Sequence, residues 1–140
     1  MSIQAVLAPV FVQVALTFAL LFLMGRSRFS AIRANEVEVQ AIALGQPAWP
    51  DRVLQVANAY HNQFETPLLF YALVALALIT RQADLLFVVM AWLFVAARLA
   101  HAYIHTTSNT VIRRFQAFLA GTVVLMLMWL IFAVRILFAL

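Results

Sequence analysis

Apolar side chains run along this chain in four long blocks, and the polar positions between and within them are few enough to read one by one. The first block, from about Val6 to Met24, is interrupted only by Gln13 and Thr17. Gly25 to Pro50 form one long polar connection, which opens with Arg26, Arg28 and Arg33 and closes with Gly45, Pro47, Trp49 and Pro50; a partly helical stretch is expected over Glu36 to Leu44. A second helix is predicted from Asp51, whose carboxylate can cap its first turn, to about Thr80, with a kink at Pro67. A third helix is predicted from Asp84 to His105, a turn from Thr106 to Thr110, and a fourth helix from Val111 to Leu137. Each block has about the 20 residues that cross a hydrocarbon core as a helix.

Composition turns four apolar helices into four membrane spans. Hydrophobic residues make up 66% of the 140 positions and charged residues 10%, and the mean hydropathy is +1.01. A soluble domain is about half apolar and a quarter charged. The expected fold is therefore an all-α integral membrane protein, a four-transmembrane-helix bundle forming a single domain over residues 1–140. The first block has no basic residue before it and no small-residue cleavage pattern after it, which reads as a retained helix and not a signal peptide.

Charge sets the expected orientation. The net charge of +4 rests on nine arginines and no lysine. Arg26, Arg28, Arg33 and Arg52 flank the first connection and Arg113 and Arg114 follow the third helix, whereas the opposite side carries only Arg81 and Arg135. Basic loops stay in the cytoplasm, so both termini are expected outside it, most simply across a bacterial inner membrane. Membrane lipids are expected partners. Nucleic acid is not, because no basic stripe with interleaved aromatic residues lies outside the spans.

The candidate chemistry lies on the second and third helices. At about 100° per residue, Gln55, Asn58, Asn62 and Glu65 fall within roughly 80° of one another, and Arg98, His101 and His105 within roughly 60°. Polar groups inside a membrane face a bundle interior or a cavity and need partners there. A Glu65 to Arg98 ion pair is the most economical arrangement. It serves equally as a ligand contact or as a structural tie between helices.

Other chemistries have less support. His61 and Glu65, with His101 and His105, supply three nitrogens and a carboxylate at one-turn spacings, but such pairs are common by chance and no metal site is assigned. Without cysteine there is no thiol nucleophile, so any sulfur chemistry uses a sulfur brought by a ligand. Three glycines form no phosphate loop. Met126, Met128 and Trp129 read as packing or lipid-facing residues. A small proton-coupled transporter would need a carboxylate in its first helix, and there is none.

The run RVLQVANAYHNQFETP from Arg52 to Pro67 resembles the second-helix signature of the MAPEG family, the membrane-associated proteins in eicosanoid and glutathione metabolism, in a bacterial-type form. Asn62, Glu65 and Pro67 follow the family's order. Arg98, His101 and His105, followed by Arg113 or Arg114, resemble its third-helix end and fourth-helix start. The resemblance extends over essentially the whole chain. It departs from the family pattern at Asn58, where an arginine is usual, at His105, where a tyrosine is expected and Tyr103 lies near, and at Pro67, which follows the glutamate early.

The resemblance implies a homotrimer holding glutathione between subunits near the cytoplasmic side, and a transferase or peroxidase acting on lipophilic electrophiles or lipid hydroperoxides. On that reading Arg113, or failing it Arg114, stabilises the thiolate. Asn62 and Glu65 hold the peptide's polar groups, and Arg33 and Arg52 meet its carboxylates. Asn58, Arg98, His101, Tyr103 and His105 complete the expected glutathione-binding set. The alternative is a noncatalytic member of the same fold that binds lipid or serves a larger membrane complex.

Overall fold

A computed structural model describes residues 1–45 and 48–138. Pro47, expected near the end of the long connection, lies outside the described residues. Five α-helices are present among them: α1 Ile3–Arg33, α2 Asp51–His61, α3 Thr66–Ile79, α4 Leu85–Thr106 and α5 Val111–Leu137. Four helical segments are long and apolar enough to cross a membrane, namely α1, the α2–α3 pair taken together, α4 and α5.

Helix α1 outruns its apolar block. It contains Arg26, Arg28 and Arg33, which the hydropathy break assigned to the connection. At 1.5 Å per residue its 31 residues extend about 46 Å, well beyond a hydrocarbon core of about 30 Å. Loss of hydrophobicity marks where a helix leaves the membrane, not where it ends. The end comes at Asn35, whose φ of +54° is left-handed, with the Glu36 amide donating to the Ala31 carbonyl at 3.0 Å. The connection contains a short 3-10 turn at Val39–Ile42, inside the stretch expected to be partly helical.

The second span is broken, not kinked. Asn62–Phe64 form a 3-10 turn between α2 and α3, and Pro67 occupies the first turn of α3. Proline has no N–H to donate, and its ring would crowd the carbonyl four residues earlier, here that of Gln63. The chain resolves this by ending one helix and starting another. At the start of α2, Pro50 and not Asp51 holds the capping position, and Asp51 makes no capping hydrogen bond. Asp84 does cap α4, accepting from the Phe87 amide at 2.9 Å.

Packing divides the bundle in two. Towards the end that holds the termini, Val6, Phe70, Leu73, Phe94, Leu125 and Met128 belong to one buried apolar core, with the Phe70 and Phe94 rings stacked at 4.7 Å. Helices α4 and α5 approach closely at Gly121, where a Cβ would sit 3.2 Å from that of Ala97. The amino terminus and the end of α5 lie by the turn between α3 and α4: the amino terminus is 3.5 Å from the Ala83 carbonyl, and Arg135 pairs with Asp84 at 2.7 Å. At the opposite, arginine-rich end the apolar cluster shrinks to Leu20, Ala59 and Ala102, and polar groups take over.

Two glutamines tie the broken span to α1. Gln13 and Gln63 are both buried, and Gln13 Nε2 donates to Gln63 Oε1 at 2.9 Å. Gln63 Nε2 in turn donates to the Ala59 carbonyl at 3.0 Å. Gln13, a mere interruption of hydropathy in the sequence, is thus the α1 side of the break.

Candidate functional site

The break in the second span turns one polar stripe into two environments. Gln55, near the start of α2, spends its amide on α4, donating to the carbonyls of His105 at 2.8 Å and Thr107 at 3.1 Å. Asn58 is exposed. Asn62 and Glu65, at the break itself, line a cavity of about 240 Å³ together with His101 of α4 and Val111, Arg114, Phe115 and Phe118 of α5. Three spans therefore contribute to one pocket.

The expected Glu65 to Arg98 ion pair does not form. Among the described residues the salt bridges are Arg52 with Glu36 and Arg135 with Asp84. Arg98 is 1% exposed. Its Nη2 donates to Asn62 twice, to Oδ1 at 2.6 Å and to the backbone carbonyl at 3.1 Å. Asn62 Nδ2 then donates to Glu65 Oε2 at 2.9 Å. The 3-10 turn explains the substitution: it exposes the Asn62 carbonyl to α4 and carries Glu65 outward to the pocket wall. An asparagine relays between cation and carboxylate where a direct pair was expected.

Two further groups lie behind the wall. His101 and His105 are buried and meet edge to face at 5.4 Å between ring centroids, and neither Nδ1 has a hydrogen-bond partner. Arg98 Nε and Nη1 are buried and unpartnered as well. His101 reaches the pocket; His105 is not among its lining residues. His61 is exposed, and among the described residues no group of three or more histidines and carboxylates gathers as a metal site would require.

Of the two arginines that open α5, Arg114 is half-buried and lines the pocket, while Arg113 is exposed and does not. Arg114 Nη1 donates to Asn109 Oδ1 at 2.5 Å. Tyr103 is exposed at 70% and does not line the pocket. Arg52 makes a two-pronged contact with Glu36, at 2.6 and 3.1 Å. That contact holds the Glu36 carboxyl below the usual carboxylate range. Arg33 lines a separate open groove with Arg26, Phe29 and Ser30. Within one chain, the expected residues that share the pocket are Asn62, Glu65, His101 and Arg114. Sequence reasoning missed Asn109, whose signal was an asparagine in a short polar turn immediately before a helix.

An apolar groove of about 600 Å³ lies between α3 and α5, lined by residues including Thr66, Leu69, Thr122, Met126 and Trp129. Thr66 follows Glu65 in the chain, and Thr122 is one turn beyond Phe118, so the groove and the polar pocket share a seam. A cationic, hydrogen-bonding pocket thus adjoins a surface suited to acyl or aromatic groups.

The family model described as MAPEG family matches residues 6–134. No curated protein matches the chain, and no solved structure does.

Proposed function

Because this chain belongs to the MAPEG family, we propose that it is a glutathione-dependent membrane enzyme, a transferase or peroxidase joining a water-borne thiol to lipophilic electrophiles or lipid hydroperoxides. The observation that carries the reading is the shared pocket of Asn62, Glu65, His101 and Arg114 at the seam with the apolar groove. A thiol group has an ordinary pKa of about 8.5, and a guanidinium beside it favours the thiolate at neutral pH. Arg114, which lines the pocket, takes that role ahead of Arg113. Glu65 is suited to the ammonium group of a thiol peptide and Asn62 to its amides.

The chemistry then follows from the two environments. In transfer, the thiolate sulfur forms a bond to the electrophilic carbon while the leaving group departs with its electron pair. In peroxide reduction, the sulfur takes the distal oxygen, releasing an alcohol, and a second thiol completes a disulfide and water. The groove between α3 and α5 holds the lipophilic partner. The working unit is a homotrimer, in which Arg33 of a neighbouring chain, and Arg52 where a ligand carboxylate displaces Glu36, complete the carboxylate contacts that one chain leaves unmade.

One observation favours the second reading, a noncatalytic lipid-binding or accessory subunit. Position 58 carries a neutral, exposed asparagine, so the pocket has one cation fewer than the family pattern supplies.

The test is to add glutathione to the purified protein near pH 7 and follow thiolate ultraviolet absorbance. A signal that Arg114→Ala abolishes and Arg113→Ala leaves largely intact supports the enzyme. Absence of thiolate signal, glutathione binding and conjugation to an aryl halide leaves only the lipid-binding reading.

A further inference from the structure

Arg114 is held in an unusual way for a cation near a carboxylate. It shares a pocket with Glu65 yet forms no salt bridge with it, and its side-chain partner is the neutral amide oxygen of Asn109. Asn109 is in the turn between α4 and α5, at a φ of +50°. Asparagine tolerates this left-handed conformation far better than most residues. Its own backbone N–H donates to the Ile104 carbonyl at 2.8 Å, closing the last turn of α4. One residue therefore ends α4 and grips the first turn of α5.

We infer that Asn109 is a positioning residue, which fixes the Arg114 guanidinium at the pocket wall while leaving its charge unspent for a bound anion. The inference rests on the reading of the pocket as a thiolate site. Two ways of orienting an arginine differ in what they do to its charge. A carboxylate at position 109 would hold the fork equally well but would neutralise it, so an incoming thiolate would meet a pair with little net field. A neutral carbonyl oxygen accepts a charge-assisted hydrogen bond and removes no charge. Without either, the side chain regains its rotamers, and a ligand must order it at the time of binding.

Two substitutions separate these effects. Asn109→Gly keeps the left-handed turn and removes the grip; Asn109→Asp keeps both and cancels the charge. The first readout needs no ligand: the rate at which phenylglyoxal modifies Arg114, followed by peptide mass spectrometry, with Arg113 in the same peptide region as internal reference. Relative to the wild type, Asn109→Gly should raise the Arg114 rate several-fold and Asn109→Asp should lower it several-fold, with Arg113 unchanged. The second readout is the thiolate absorbance of added glutathione against pH. Asn109→Asp should lose the signal near pH 7, and Asn109→Gly should keep the thiol's shifted ionisation at saturation while requiring several-fold more glutathione. Equal Arg114 rates in all three proteins would overturn the inference. If those rates shift as expected and the wild type binds no glutathione, the positioning role stands and the enzymatic reading falls.

Discussion

Arg98 and Asn62 form the tightest polar junction between the second and third spans: one guanidinium nitrogen meets both the side-chain and the backbone oxygen of the same asparagine, at 2.6 and 3.1 Å. The junction exists because Pro67 forces a break that turns the Asn62 carbonyl towards α4. Hydrogen bonds to charged groups contribute about 1.5–3 kcal/mol each. Asn62→Leu, which strands a buried cation, should therefore destabilise the detergent-solubilised protein by about 2 kcal/mol or more, read as a lower apparent Tm. Asn62→Asp in a Glu65→Gln background, which still accepts from Arg98 without facing a second carboxylate, should lose much less. Equal losses would show that bulk, not hydrogen bonding, sets the junction.

Close helix contact gives a second expectation. A Cβ at position 121 meets Ala97 at 3.2 Å, tighter than ordinary contact. Gly121→Ala should be tolerated with a small loss, since Ala97 must yield by a few tenths of an ångström. Gly121→Leu should separate α4 from α5, distort the pocket that both helices line, and cost about 1–3 kcal/mol or more by overpacking. Thermal unfolding of the two variants side by side checks this, and an unperturbed Gly121→Leu protein would contradict the packing of the two spans.

Much of this fold was legible because membrane burial writes itself into the sequence as long apolar blocks: the last helix, Val111–Leu137, has the boundaries that its pattern predicts. The misreadings have one cause each. Helix α1 runs on to Arg33 because hydropathy detects the edge of the bilayer, whereas helix ends are set by features such as the left-handed Asn35. The angular argument that put Gln55, Asn58, Asn62 and Glu65 on one stripe assumes an unbroken helix, and the 3-10 turn at Asn62 invalidates it. The Glu65 to Arg98 pair fails for the same reason. Choosing between Arg113 and Arg114 needs the rotation of α5 about its axis, which its largely apolar continuation, broken only by Gln116, Thr122 and Arg135, does not reveal.

Acid should weaken the end that holds the termini. The Arg135 guanidinium, aided by the Phe87 amide, holds the Asp84 carboxyl below its ordinary value of 3.8. A carboxylate with a depressed folded-state pKa contributes stability that is fully present above its unfolded value and is lost as pH falls through the lower, folded one. Its partial exposure limits the contribution to about 1 kcal/mol or less. Stability measured between pH 5 and pH 3 should fall in the wild type and fall less in Asp84→Asn, which keeps an oxygen for the α4 cap. Parallel pH curves would show that the pair is fully screened.

Orientation is open to direct measurement. Six arginines gather at the pocket end and two at the end that holds the termini, so the pocket should open to the cytoplasm. A reporter fused to the carboxy terminus should then behave as periplasmic in a bacterial host. A cytoplasmic reporter would reverse the assignment and place the pocket in a compartment poor in reduced thiols.

The exposed Asn58 offers the sharpest test of what the pocket was built to hold. It lies one helical turn before Asn62, on α2, where the family pattern has an arginine, and among the described residues nothing fills that charge: Arg52 is bound to Glu36 and Arg33 lies in another groove. Because the position is exposed, Asn58→Arg should fold as the wild type does. A guanidinium there can make a two-pronged contact with a peptide carboxylate. If the pocket is a preserved thiol-peptide site lacking one cation, glutathione affinity should rise about tenfold, a gain of about 1.4 kcal/mol measured by calorimetry. The gain should weaken with added salt, since the new contact is electrostatic and near water. No change in affinity would mean that the Asn62 and Glu65 wall does not present a peptide to position 58. The α3–α5 groove would then be the principal binding surface, with a lipid as its ligand.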